Sequence, residues 1–135
     1  MIRTFLDAGV LILGYRGAGP ARDRVLELIA DSQRTFVSSH FLELEILPKA
    51  EHFGRMDEVS FYEDYCFRVA DASSQDLELV VAEARTLAVQ YGLAAMDALH
   101  SAVARLEGCD ELITTEAETK PLHRLGGVRA VRFTG

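Results

Sequence analysis

Short segments of strand-forming residues alternate with longer segments of helical periodicity along the whole chain, and this alternation is what most limits the fold. Ile2–Leu6, Thr35–Val37, Glu111–Thr114 and Ala130–Phe133 read as strands, and a further one is expected around Phe67–Val69. Val10–Leu13 fits a short helix closed by the glycines at 14, 17 and 19. Pro20 opens a second helix, with Val25, Leu28 and Ile29 on one face. Ser38–Ser39 caps a third helix running through Leu47, where Pro48 is expected to stop it, because the residue before a proline is pushed out of the helical region. Met56–Phe67 carries a moderate helical pattern. The strongest amphipathic stripe is Leu77, Val80, Val81, Ala84, Leu87, Ala88 and Tyr91, with Ser73–Ser74 as its expected cap and Gly92 as its end. Ala95–Leu106 makes a last helix before Gly108. Such a pattern predicts an α/β protein with a mostly parallel sheet and helices on both faces. At 135 residues, a single domain over 1–135 is expected.

In sheets of this kind, sites form outside the carboxyl ends of the strands. Asp7 directly follows the first strand, and Thr115-Glu116 follows the strand at 111–114. Two helix starts open at the same edge, one leading from Ser38 to Glu45 and the other at Met96-Asp97. Each acid has an ordinary explanation. Asp7 suits the N-cap of the next helix, and Asp97 suits the positive end of a helix dipole. Glu116 stands in a loop, where acids are commonly surface residues. Glu43 and Glu45 are separated by about 200° of helix rotation and cannot both face inward. Glu45 lines up with Phe41 and Leu42, whereas Glu43 lines up with Ser39, so Glu45 is the functional candidate and Glu43 the surface one.

Four acids at four openings of one sheet edge would repel one another unless a cation joins them. All-oxygen ligation selects Mg²⁺ or Mn²⁺ over zinc. Such ions polarise phosphodiesters and acidify a bound water, which implies hydrolysis without a protein nucleophile. The formal net charge of −7 argues against holding nucleic acid by bulk electrostatics, but a bound cation reverses the local sign of an acidic site.

The residues around these acids resemble those of the PIN domain family over nearly the whole chain. Phe5-Leu6-Asp7-Ala8-Gly9-Val10-Leu11-Ile12 is similar to the family's first motif, and Ser39–Lys49 to its second, with Glu45 at the glutamate position. Tyr91-Gly92-Leu93 followed by Met96-Asp97-Ala98-Leu99-His100-Ser101-Ala102 is the most specific match and puts the third acid at Asp97. Glu111–Glu116 resembles the last motif, although the family more often has Asp or Asn where this chain has Glu116. Ala8 likewise stands where Ser or Thr is common. The resemblance implies a three-layer α/β/α sandwich and a Mg²⁺- or Mn²⁺-dependent ribonuclease. In that reading Asp7, Glu45 and Asp97 bind the ion, Glu116 helps directly or through water, and Thr115 contacts water or phosphate. Many small bacterial members resemble the toxin of VapBC toxin–antitoxin modules, which implies an RNA substrate, a cognate antitoxin and a homodimer.

Other features carry less. Cys66 and Cys109 form no CxxC pattern and read as reduced, partly buried thiols. Val10–Leu13 is too short to span a membrane and has no secretory layout, so a soluble cytoplasmic protein is expected. His100 follows Asp97 by one turn without any zinc spacing and reads as a packed histidine, or one that hydrogen-bonds nearby backbone, rather than a general base. Phe61, Tyr62, Tyr65 and Phe67 read as helix packing, with a partner surface as the alternative. Arg16, Arg22 and Arg24 flank the loop after the first helix, where they could reach a phosphate backbone or simply face solvent. Two competing functions remain: a PIN-like domain that binds RNA or protein without cutting, and a phosphotransfer domain using Asp7, Thr115 and Lys120. The second lacks an aspartate with suitable neighbours after Val37 or Val69.

Overall fold

The computed structural model describes residues 1–71 and 75–134. Four strands, β1 (Ile2–Leu6), β2 (Arg34–Val37), β3 (Glu111–Thr114) and β4 (Arg129–Arg132), form one parallel sheet in the order β2-β1-β3-β4. Among the described residues, six α-helices flank it: α1 (Ala8–Arg16), α2 (Gly19–Ile29), α3 (His40–His52), α4 (Met56–Asp64), α5 (Leu77–Tyr91) and α6 (Ala95–Leu106). This is the expected α/β/α architecture. From β1 the chain steps to β2 on one side, then crosses back to β3 on the other. The strand order therefore reverses between β1 and β3, which is where a parallel sheet opens a crevice at its carboxyl edge.

The central strands are buried on both faces, as strands covered by helices must be. Phe5, Leu6, Leu112 and Val37 are fully inside or nearly so. Phe5 meets the His100 ring of α6 at 5.2 Å between centroids. Small residues on α6, Ala98, Ala102 and Ala104, are buried and let that helix lie close to β1 and β3. Gly92 ends α5 in the left-handed conformation (φ 70°), which a side chain would resist.

Several expected boundaries move. Gly14 lies buried inside α1, which runs on to Arg16. α3 continues through Pro48 to His52. Pro48 and Leu44 are both exposed, so the carbonyl that loses its donor lies on the solvent side, while Ile46, Leu47 and Ala50 hold the helix to the core. The strand expected at Phe67–Val69 is instead a π-helical continuation of α4 over Tyr65–Val69. Its buried Tyr65 and Cys66 lie three and four residues after the buried Tyr62 of α4, and Arg68 pairs with Asp64 one turn back. Beyond it, Asp71 makes an isolated parallel bridge to Val37. The cap expected at Ser73–Ser74 falls outside the described residues, and Asp76 caps α5. The stripe of α5 is only partly covered: Val80, Ala84 and Leu87 are buried, whereas Leu77 and Val81 are exposed.

Among the described residues, no helix is long and apolar enough to cross a membrane. Both cysteines are free and buried, and burial pushes their thiols up to about 11 (Cys66) and about 12 (Cys109). They stay protonated at neutral pH and serve as packing.

Candidate active site

The register Leu6↔Ile113 puts the next residues, Asp7 and Thr114, side by side at the carboxyl edge, and the Asp7 N–H donates to the Ile113 carbonyl at 3.0 Å. Asp7 has two roles at once. Its Oδ1 accepts from the Val10 N–H at 3.3 Å and caps α1, while its Oδ2 accepts from the Thr114 hydroxyl at 2.5 Å. The same hydroxyl accepts the Glu116 N–H at 3.0 Å. Thr114 is fully buried and ties the first acid to the loop that carries the last.

A pocket of about 190 Å³ opens here, lined by Asp7, Glu45, Asp97 and Glu116. Thr115 stands at its exposed rim. All four acids proposed from the sequence are thus brought to one cavity. Asp97 is the third residue of α6, whose N-cap is Ala94, so its side chain is not the helix cap. Gly9 forms part of the wall because a Cβ there would collide with the Thr115 hydroxyl.

Glu45 reaches this pocket from α3, but the burial expected of the two glutamates is reversed. The Glu45 side chain is 31% exposed and the Glu43 side chain 16%. Glu43 is covered through its contact with His40 at 2.7 Å, whereas Glu45 stands at an open mouth. Helical phase separates the two faces correctly but carries no information about whether a face meets core or cavity.

His100 also lines the pocket and is nearly fully buried. Its Nε2 lies 2.9 Å from Glu45 Oε1. A carboxylate only accepts, so Nε2 carries the hydrogen in this contact. Its Nδ1 has no partner among the described residues. The sequence reading of a packed histidine captures the burial and misses the bond to Glu45. The available signal was its place one turn from Asp97, on the same face of α6. Thr114, and not Thr115, is the hydroxyl that turns inward; alternation along β3 puts the two on opposite faces.

The electrostatics of the two sheet edges differ. At the amino edge, acids are paired with arginine: Glu111 accepts from Arg34 at 2.8 Å, Asp31 pairs with the same Arg34, and Arg3 meets Glu107. At the carboxyl edge, among the described residues, no Arg or Lys pairs with Asp7, Glu45, Asp97 or Glu116. Burial holds Asp7 above the usual carboxylate range against the Thr114 and Val10 hydrogen bonds. Asp97 is also raised, first by burial and then by the charges of Glu116 and Asp7.

No group of three or more His, Cys, Asp or Glu side chains among the described residues is close enough together to hold a metal ion as it stands. The donor chemistry nevertheless fits Mg²⁺ or Mn²⁺, which Asp7, Glu45 and Asp97 would hold with Glu116. These are oxygen donors around one cavity whose lining holds no arginine or lysine and, beside them, one histidine bonded to Glu45. Mg²⁺ in particular keeps several waters and uses few direct carboxylates.

A pH prediction follows from the two raised acids. An acid whose folded pKa lies above its ordinary 3.8 contributes stability below that value, and the contribution is lost as pH rises through the raised one. In EDTA, the Tm advantage of Asp97→Asn over the parent protein is therefore expected to grow from pH 4 towards neutrality. Thermal melts of both proteins across that range check it; parallel curves would contradict it.

The PIN domain family model matches residues 4–124 of the chain. Three solved structures share the fold. VapBC2 from Rickettsia felis, bound to a DNA fragment from its promoter, is 14% identical with a TM-score of 0.71, covering 98% of this chain and 100% of that one. A toxin–antitoxin complex from Klebsiella pneumoniae is 21% identical with a TM-score of 0.66, covering 93% and 94%. DNA-bound VapBC from Salmonella typhimurium is 14% identical with a TM-score of 0.67, covering 98% of each chain. No curated protein sequence matches.

Proposed function

The chain belongs to the PIN domain family, and from that premise we propose that it is a Mg²⁺- or Mn²⁺-dependent ribonuclease, the toxin of a VapBC-like toxin–antitoxin module. One observation carries the proposal. Asp31, Glu107 and Glu111 at the amino edge are paired with arginines, while the four acids of the carboxyl edge converge on a cavity at the topological switch point with no arginine or lysine pairing them among the described residues. Acids gathered at one edge without arginine or lysine partners repel one another, which supports a cation joining them there.

In this reading Asp7, Glu45 and Asp97 hold the ion, and Glu116 assists directly or through water. When bound, Mg²⁺ or Mn²⁺ supplies charge neutralisation and an acidified water for phosphodiester hydrolysis. The chain's residues position the reactants. Thr114 fixes the orientation of the Asp7 carboxylate, and His100 fixes that of Glu45. Thr115 offers a hydroxyl at the rim to water or to a phosphate oxygen.

A cognate antitoxin, a homodimer and a cytoplasmic setting belong to the same proposal. The toxin–antitoxin complexes that share the fold support the first. An apolar groove of about 340 Å³ between α3, α5 and α6, lined by Phe41, Val81 and Leu99 among others, supports the second.

The test is cleavage of RNA by the purified protein with Mn²⁺ and with EDTA. Cleavage that requires the metal is expected. An absence of cleavage across a broad panel of structured and single-stranded RNAs would overturn the enzymatic reading in favour of an RNA- or protein-binding member of the family.

A further inference from the structure

Next to the carboxylate pocket, and sharing Glu45 with it, is a second pocket of about 130 Å³ bounded by Arg16, Lys49, Glu58 and Tyr62. Its floor is a built arrangement. Glu58 of α4 is 4% exposed and holds Arg16, the last residue of α1, with both oxygens: Nε at 3.0 Å and Nη2 at 3.1 Å. The buried Tyr62 hydroxyl donates to the same carboxylate at 2.7 Å. The Arg16 side chain itself stays 45% exposed, and its Nη1 makes no hydrogen bond among the described residues.

Burying a carboxylate is costly, and an ion pair with a half-exposed arginine repays little of that cost. A simple brace between α1 and α4 would be cheaper with apolar side chains. What the arrangement achieves is an arginine locked in one orientation at the lip of a pocket, with donors left over. Guanidinium groups so fixed lose little freedom on meeting an oxyanion and suit phosphate geometry.

Lys49 sits one turn beyond Glu45 on α3, exposed and without an ion pair among the described residues. It is one of only two lysines in a chain of net charge −7, so a cation here is not part of a general basic surface. Arg16 and Lys49 together balance Glu58 and Glu45. A divalent cation held with Glu45 would leave this pocket net positive beside the reaction centre.

We propose that Arg16, held by Glu58 and Tyr62, and Lys49 form a subsite for a backbone phosphodiester of the RNA strand, next to the bond being cut. The subsite rests on the nuclease reading and names how an acidic protein grips its substrate: through two local cations and the metal. Arg22 and Arg24, which the sequence places near the same loop, lie exposed on α2 and line neither pocket.

The test measures binding, which separates it from the cleavage assay. A short fluorescent oligouridylate RNA is titrated by anisotropy with the full chain in Ca²⁺, over a series of salt concentrations. One lost phosphate contact on a single strand lowers the log–log salt slope by about 0.7, or about fivefold in affinity at 0.1 M salt. Lys49→Ala, at an exposed position, is expected to show that loss. The double variant Arg16→Gln/Glu58→Gln keeps the net charge and a hydrogen-bonded pair, and is expected to show a loss of the same size. Arg22→Ala is expected to bind as the parent does. Parent-like affinity and salt slope in both Lys49→Ala and the double variant overturn the subsite, as does a parent protein that fails to bind oligouridylate at low salt. Metal-dependent cleavage seen alongside either of these results would leave the nuclease reading standing without it.

Discussion

Asp97→Asn is expected to lower RNA cleavage by two orders of magnitude or more and, in EDTA at neutral pH, to raise the melting temperature. Asparagine keeps the size and place of the third residue of α6, so the helix and its contacts with β1 and β3 persist. What is lost, on the proposed function, is a negative donor to the cation. Metal ions supply several kcal/mol of charge stabilisation in phosphoryl chemistry, and about 1.4 kcal/mol corresponds to tenfold in rate. The stability gain has the opposite origin. Burial and the charges of Glu116, Asp7 and Glu45 raise the Asp97 carboxyl, so its ionised form costs the fold something that the amide does not. Such a gain is the outcome expected of a carboxylate kept for function at a cost to stability. Cleavage assays and thermal melts on the same preparations check both halves; undiminished cleavage by Asp97→Asn would sink the assignment of Asp97 to the site.

Thr114→Val should be the most damaging change outside the four acids. Valine has nearly the same shape and is a good strand former, so the packing of β3 is preserved. The hydroxyl, however, serves two groups: it donates to the buried Asp7 Oδ2 and accepts the half-buried Glu116 N–H. Leaving a buried donor or acceptor without its partner costs about 1–3 kcal/mol, so a fall in Tm of several degrees is expected. The hydrogen bond from Thr114 also holds the Asp7 carboxyl down against its burial. Without that bond the Asp7 pKa rises further, protons compete better with the metal, and the acidic limb of the activity profile moves to higher pH. Thr114→Ser retains the hydroxyl and should restore the profile even where stability is not fully recovered. A valine variant with the parent Tm and pH profile would show that the contact is incidental.

Much of the secondary structure was legible because its signals are local. The helix at Ala95–Leu106 and the strand at Glu111–Thr114 have the bounds read from periodicity, and Gly92 ends α5 by the left-handed turn that a glycine allows. The misreadings concern residues whose local preference was overridden by packing. Pro48 is a helix breaker by its own chemistry, yet α3 continues because Ile46, Leu47 and Ala50 are anchored in the core and the unpaired carbonyl faces water. Phe67–Val69 has strand-forming composition, but Tyr65 and Cys66 beside it are already committed to the core at helical spacing. Glu43 and Glu45 were separated correctly by phase and ranked wrongly by burial, since a helix face shows its period and not what lies opposite.

The chain by itself determined most of the inventory: where six helices and four strands lie to within a few residues, which acids stand at strand and helix ends, and the α/β class. Those are properties of neighbouring residues, encoded by side-chain periodicity and capping. Only the tertiary structure decided which acids share a cavity. The order β2-β1-β3-β4 sets Asp7 beside Thr114, 107 residues away in the chain, and puts the reversal of strand order at that point. It also decided that Glu111 and Asp31 are neutralised by Arg34 at one edge, while Asp7 and Asp97 are not neutralised in this way at the other. It made His100 a partner of Glu45 and brought Arg16 and Lys49 to adjacent walls of one pocket. Strand pairing and charge compensation are long-range. Their energies depend on distance in space, and distance in space between residues far apart in sequence exists only after the chain has folded.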